Sequence, residues 1–169
     1  SAAPHIQAYF AALDSPSLPD SVGIGEMYRA LNQALPFVQS DPTQRARLRS
    51  LAVYPRFREL LRACRLGTSC APGSAAANAL AGFVYATRFS RMLNANSLYS
   101  AFAQNDAIKS DPLPEVGNPT QGNWSELLGL YLESLITQGA AASANQAVFT
   151  PSELKPSYHD AASLVPANV

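Results

Sequence analysis

Five arginines repeat at helical spacing in the first half of the chain. They are Arg45 and Arg49, at i, i+4, and Arg58, Arg62 and Arg65, which form one stripe beside an apolar helix face. A guanidinium group binds phosphate or carboxylate through its fork of N–H donors. Stripes of this kind are therefore candidate contacts to RNA phosphates or to an acidic protein partner.

The same arginine stripes are also typical of a helix face that is solvated or that forms ion pairs within the chain. No lysine lies among them, Glu59 interrupts them, and the formal net charge of the chain is zero. These features are unlike the basic footprint of a nucleic-acid-binding protein. We favour the solvated or ion-paired interpretation, then a protein interface, and nucleic acid last.

The two cysteines, Cys64 and Cys70, enclose five residues near the predicted end of a helix. That spacing is too wide for a C-x-x-C redox motif. A disulfide is possible if the chain doubles back, and it would be worth roughly 2 to 3 kcal/mol. Cys64 equally fits a buried apolar position on its helix, so both interpretations stay open.

The sequence pattern gives little support for a catalytic or metal-binding histidine. His5 and His159 lie far apart in sequence, and neither has a nucleophile or an orienting group at a sequence spacing typical of a catalytic site. Two histidines and two cysteines at these spacings do not form a zinc-site pattern. We expect no catalytic residue, no metal and no cofactor.

The elements that carry these residues are predicted to be helices, because apolar residues recur at i, i+3, i+4 and clean strand alternation does not occur. Pro4 starts a short helix that ends near Asp14, and a second helix runs from about Val22 to Leu35. Asp41 caps a third helix, which kinks or restarts at Pro55. The chain is predicted to be all-α and to form a single domain over residues 1–169.

The second half contains two more predicted helices and a long loop. Ser74 caps a helix that begins with small residues, and a capping box at Asn123 starts a helix that ends before Gly139. Residues 109–122 contain three prolines and two glycines and are predicted to be a loop. The expected architecture is an irregular bundle of about four main helices with short extra helices and this long Pro-rich loop.

The composition favours a chain that is part of a larger protein assembly. Hydrophobic residues make up 47% of the chain and charged residues only 14%, against about 25% charged in an average soluble domain. Residues 1–91 carry 10 − 5 = +5 and residues 92–169 carry 2 − 7 = −5, which favours attraction between the halves within one chain. No apolar run is long enough to span a membrane, so we expect a soluble chain.

Three functions follow from these observations. The first is a non-enzymatic structural subunit that packs on other protein subunits through apolar helix faces, ordered termini and the 109–122 loop. The second is a coat-like subunit that holds RNA phosphates with its arginines. In layout, four helices with a long loop before the last one and many arginines but few lysines, the chain resembles the coat subunits of rod-shaped plant viruses. No motif is shared, so no residue role is carried over.

The third function is a secreted or lumenal helical binding or inhibitor module, for which a Cys64–Cys70 disulfide is the distinguishing feature. The sequence does not fix the compartment: an organelle lumen, a virion and the extracellular space all agree with it.

Overall fold

The computed structural model describes residues 1–15, 20–66, 75–87, 92–93, 98 and 126–144. Its helices are α1 (Ala3–Leu13), α2 (Asp20–Ala34), a 3-10 helix (Leu35–Phe37), α3 (Pro42–Leu51), α4 (Val53–Leu66), α5 (Ala75–Ala86) and α6 (Glu126–Ala144). No strand occurs within these ranges. The prediction of an all-α fold is therefore confirmed.

The chain divides into two compact units. The first comprises Ser1–Glu59 and Gly129–Leu154, and the second comprises Leu60–Leu128 and Lys155–Val169. The single domain over residues 1–169 stays a prediction. The two ion-pair clusters and the groove described below belong to the first unit.

The core of the first unit is built around one face of α2, which packs against α1. The predicted apolar stripe of α2 is buried: Met27, Tyr28, Leu31, Ala34 and Leu35 are each at most 8% exposed. In α6 the buried apolar side chains are Leu132, Leu135 and Ile136. Their i, i+3, i+4 spacing places them on one helix face, as expected for an amphipathic helix in a core.

The start of α3 forms as the sequence predicts. Asp41 has an extended backbone, and its Oδ1 accepts hydrogen bonds from the amides of Thr43 at 2.9 Å and Gln44 at 3.0 Å. Pro42 occupies the first helical position, where its missing amide removes no hydrogen bond. The cap therefore satisfies two of the amides that a helix start leaves without intrahelical partners.

The break between α3 and α4 lies at Ala52, before the predicted kink at Pro55. Pro55 instead lies in the first turn of α4, where proline is tolerated. In a continuous helix an amide at position 55 would bond the carbonyl of Leu51. Here that carbonyl accepts a 2.9 Å hydrogen bond from the Tyr9 hydroxyl. Proline thus moves the break upstream. Because proline has no amide hydrogen to donate, Tyr9 of α1 supplies the hydrogen bond to the Leu51 carbonyl.

Helix α6 continues through Gly139 to Ala144, so the prediction that it ends before Gly139 is wrong. A Cβ at position 139 would overlap the ring of Tyr28. The glycine therefore allows α6 and α2 to approach closely, and it does not serve as a C-cap.

In the second unit, α5 buries Ala77, Leu80, Phe83 and Val84. The Thr87 hydroxyl donates a 2.7 Å hydrogen bond to the Phe83 carbonyl just beyond the end of α5. A helix forms in this segment, as the sequence predicts. Several predicted features lie outside the described residues: Ser74, Asn123, the 109–122 loop and the C-terminal end beyond residue 144.

Candidate functional site

A buried polar cluster lies in the core of the first unit. Arg56 is 1% exposed and Glu59 is 2% exposed. Glu59 Oε2 accepts a 3.2 Å hydrogen bond from Arg56 Nη1 and a 2.8 Å hydrogen bond from the hydroxyl of Tyr28, which is fully buried. The Tyr28–Glu59 hydrogen bond therefore joins α2 to α4, beside an ion pair within α4 that water does not reach.

Burial dominates the electrostatics of this cluster. It raises the pKa of Glu59 from 4.5 to about 7, although the charge of Arg56 and the hydrogen bonds from Tyr28 and Arg56 oppose the change. Burial and the neighbouring Glu59 also raise the pKa of the Tyr28 hydroxyl well above its usual value. Tyr28 therefore keeps its proton and acts as a donor at physiological pH.

Sequence reasoning missed this cluster. It placed Glu59 among the arginines of a solvated or ion-paired helix face and did not single out Arg56. A signal was present, because Ala52, Arg56 and Glu59 fall at i, i+4, i+7, which is one helix face. Two opposite charges three residues apart on a face with buried neighbours can pair with each other in the core.

A second ion-pair cluster joins α3 to α6. Arg45 donates to Glu133 Oε2 through Nε at 2.9 Å and to Oε1 through Nη2 at 2.8 Å. Arg49 donates to Oε2 through Nε at 2.7 Å. The side chain of Arg45 is 32% exposed and that of Arg49 only 7%. Two of the candidate phosphate contacts thus bind a carboxylate of the same chain.

The two arginines stabilise the charged form of Glu133. Hydrogen bonding by Arg45, followed by the hydrogen bond and charge of Arg49, lowers the pKa of Glu133 below its usual value, although burial opposes the change. Gly129, one turn earlier on α6, makes room for this arrangement. A Cβ there would lie 2.7 Å from Arg49 Nη1.

The other candidate arginines lie on α4. Arg58 Nη1 donates a 3.1 Å hydrogen bond to the Tyr54 hydroxyl, and its guanidinium lies 5.7 Å from the centre of the Tyr54 ring. Arg62 is half-buried. The side chain of Arg65 lies outside the described residues, as do the Cys64 side chain and the whole of Cys70. The phosphate contacts and the disulfide therefore stay predictions.

An apolar groove lies between α1 and the 3-10 helix in the first unit. It has a volume of about 700 Å³, and its lining includes Ile6, Phe10, Phe37 and Val38. Phe10 is 45% exposed and Phe37 is 54% exposed. We call the surface formed by Ile6, Phe10 and Phe37 the aromatic face.

Neighbouring rings hold the two exposed phenylalanines in place. Phe37 stacks on His5, with ring centroids 5.7 Å apart and an angle of 21° between the ring planes. Phe10 meets the edge of the Tyr9 ring at 5.2 Å, and Tyr9 is itself buried. Rings fixed in advance lose less side-chain entropy when a partner covers them.

Other kinds of site are not evident in the part of the chain that the structure describes. No group of three or more His, Cys, Asp or Glu side chains there could hold a metal ion. Among the same residues, no helix has both the length and the apolar character needed to cross a bilayer. Comparisons with protein-family models, curated proteins and solved structures found no match.

Proposed function

We propose that this protein is a non-enzymatic structural subunit that binds other protein subunits through the aromatic face. The partner is a second copy of the chain or a different chain. The observation that carries the proposal is the pair of half-exposed phenylalanines, Phe10 and Phe37, which line one groove. Single exposed apolar residues are ordinary on a protein surface, whereas apolar residues that share a concave surface are typical of interaction sites.

Charge content supports the same proposal. Only 14% of the residues are charged, and interfaces are poor in charge at their centre and rich in aromatic residues. The groove offers Phe10 and Phe37 as central anchors, with the polar side chains of Gln7, Asp41 and Gln44 also lining it. A polar rim around aromatic anchors is the usual arrangement of an interface.

The coat-like alternative has weaker support from the described residues. Arg45 and Arg49 already bind Glu133, and an RNA phosphate would have to compete with that carboxylate. The secreted module depends on Cys70, which lies outside the described residues. Neither alternative is favoured by a specific observation.

The proposal is tested by site-specific photo-crosslinking. A photoreactive phenylalanine analogue replaces Phe37 in one sample and Leu130 in another, since Leu130 is a similarly exposed apolar residue, at 49%, on α6. After irradiation of the particle in which the chain is isolated, we expect a defined crosslinked protein from position 37 and much less from position 130. Equal crosslinking from both positions, or none from position 37, would contradict the proposal.

A further inference from the structure

The buried cluster of Tyr28, Arg56 and Glu59 also involves α6. The hydroxyl oxygen of Tyr131 is buried, and Arg56 and Glu59 both influence the pKa of that hydroxyl. The groups that face Glu59 are therefore Arg56 on its own helix, Tyr28 from α2 and Tyr131 from α6. Arg56 is the charged group among them.

The two oxygens of Glu59 have different surroundings. Oε2 accepts hydrogen bonds from Arg56 and Tyr28. Oε1 is buried, and within the described residues no hydrogen-bond partner reaches it. A charged carboxylate is well stabilised in a protein when both oxygens accept hydrogen bonds, so a proton on Oε1 relieves the cost of burying the charge there.

We propose that Glu59 is a proton-uptake site that links the stability of the first unit to pH. Folding moves Glu59 from water into the cluster, where Oε1 takes up a proton. As the pH rises toward neutrality the proton leaves, and a carboxylate with only one satisfied oxygen is left in the core. The packing of α2, α4 and α6 is then less stable.

The direction of the effect follows from the two states of Glu59. Its pKa rises from 4.5 to about 7 on folding. Between these values the folded chain binds more protons than the unfolded chain, so stability decreases as the pH rises through that window. Below the window both states are protonated, and above it both are ionised, so Glu59 contributes no further change there.

The first experiment measures the unfolding equilibrium of the full chain by denaturant titration at several values from about pH 5 to pH 8. For the wild type we expect the unfolding constant to rise up to about tenfold per pH unit below pH 7, which corresponds to one proton. Glu59→Gln should remove this rise. The matched control is Glu26→Gln, because Glu26 is an exposed carboxylate with a side chain 41% accessible. This control should keep the wild-type dependence.

A second measurement avoids the possibility that Glu59→Gln does not fold. In the wild-type chain, carbon-13 NMR follows the side-chain carboxyl of Glu59, assigned through its bonds to the backbone, as the pH changes. We expect a titration midpoint well above the ordinary glutamate value. A midpoint at or below that value, or equal pH dependence in the wild type and Glu59→Gln, would overturn the proposal.

Discussion

At the scale of single residues, the Arg56–Glu59 pair shows that a buried ion pair is not simply a stabilising contact. Both side chains are nearly inaccessible, and removing two charges from water costs several kcal/mol for each ion before their attraction offsets it. Whether Glu59 keeps its charge there depends on the donors that reach its carboxylate. Each donor to Glu59 therefore matters more than the same donor would at the surface.

Replacing Tyr28 with phenylalanine tests the role of that donor. Near neutral pH, Tyr28→Phe removes the 2.8 Å hydrogen bond to Glu59 and should lower the free energy of unfolding by about 1.5 to 3 kcal/mol. The loss should be smaller near pH 5, where Glu59 is protonated. Denaturant titrations at both pH values measure this loss in the free energy of unfolding.

Tyr54→Phe is the matched control for this prediction. It removes a hydroxyl that accepts from Arg58 on a half-buried part of α4, and we expect a loss of less than about 1 kcal/mol. If the two variants lost the same free energy at both pH values, burial would not be what makes the Tyr28 hydrogen bond important.

At the scale of helices, the start of α3 was predictable from the sequence, whereas the break before α4 and the end of α6 were not. Asp41 and Pro42 define the start of α3 through hydrogen bonds within four residues, so the local sequence is sufficient. At the break before α4, the Leu51 carbonyl accepts its hydrogen bond from the Tyr9 hydroxyl, 42 residues away along the chain. The role of Gly139 depends on Tyr28. These features depend on contacts between residues that are distant in sequence, and helical periodicity does not predict such contacts.

Replacing Gly139 with alanine tests the close approach of α2 and α6. The new Cβ would overlap the Tyr28 ring, which is fully buried. We expect a net loss of about 1 to 3 kcal/mol in the free energy of unfolding, in spite of the better helix propensity of alanine.

The matched control is Gly23→Ala in α2. A Cβ at that position would lie 3.6 Å from the Ala12 carbonyl oxygen, an ordinary contact. Here the higher helix propensity of alanine should dominate and stabilise the protein by about 0.5 to 1 kcal/mol. Thermal or denaturant unfolding measures both variants. Changes of the same sign would show that the two glycines do not differ in the way proposed.

Replacing Glu133 with glutamine tests the link between α3 and α6. The change weakens three charge-assisted hydrogen bonds, and we expect a loss of about 1 to 3 kcal/mol near neutral pH. Because the folded state lowers the pKa of Glu133, its contribution is present above the unfolded pKa. It is lost as the pH falls through the lower, folded pKa.

Glu26→Gln again serves as the control, because the Glu26–Arg29 pair is 3.5 Å apart and exposed. Exposed pairs contribute about 0 to 1 kcal/mol. The difference in unfolding free energy between Glu133→Gln and the wild type should shrink below about pH 4, and the Glu26→Gln difference should stay small throughout. A Glu133→Gln loss that did not depend on pH would contradict the ion-pair explanation.

At the scale of the whole molecule, the low charge content predicts an assembly subunit, and this stays a prediction. The fold class was predictable because helical periodicity runs through the chain. The aromatic face was not, because Phe10 and Phe37 belong to different elements and only packing brings them to one groove. Phe10 follows Ile6 at i, i+4 in α1, a spacing that is typical of a buried helix face and not of an exposed one.

The direct test of the assembly proposal is the mass of the isolated particle, measured by light scattering over a range of concentrations. The wild type should form a particle heavier than one chain, and Phe10→Gln combined with Phe37→Gln should shift it toward a folded single chain. Val22→Gln with Leu130→Gln, at comparably exposed positions, should leave the mass unchanged. A wild-type chain that stays alone at every concentration, with no partner from its native source, would contradict the account.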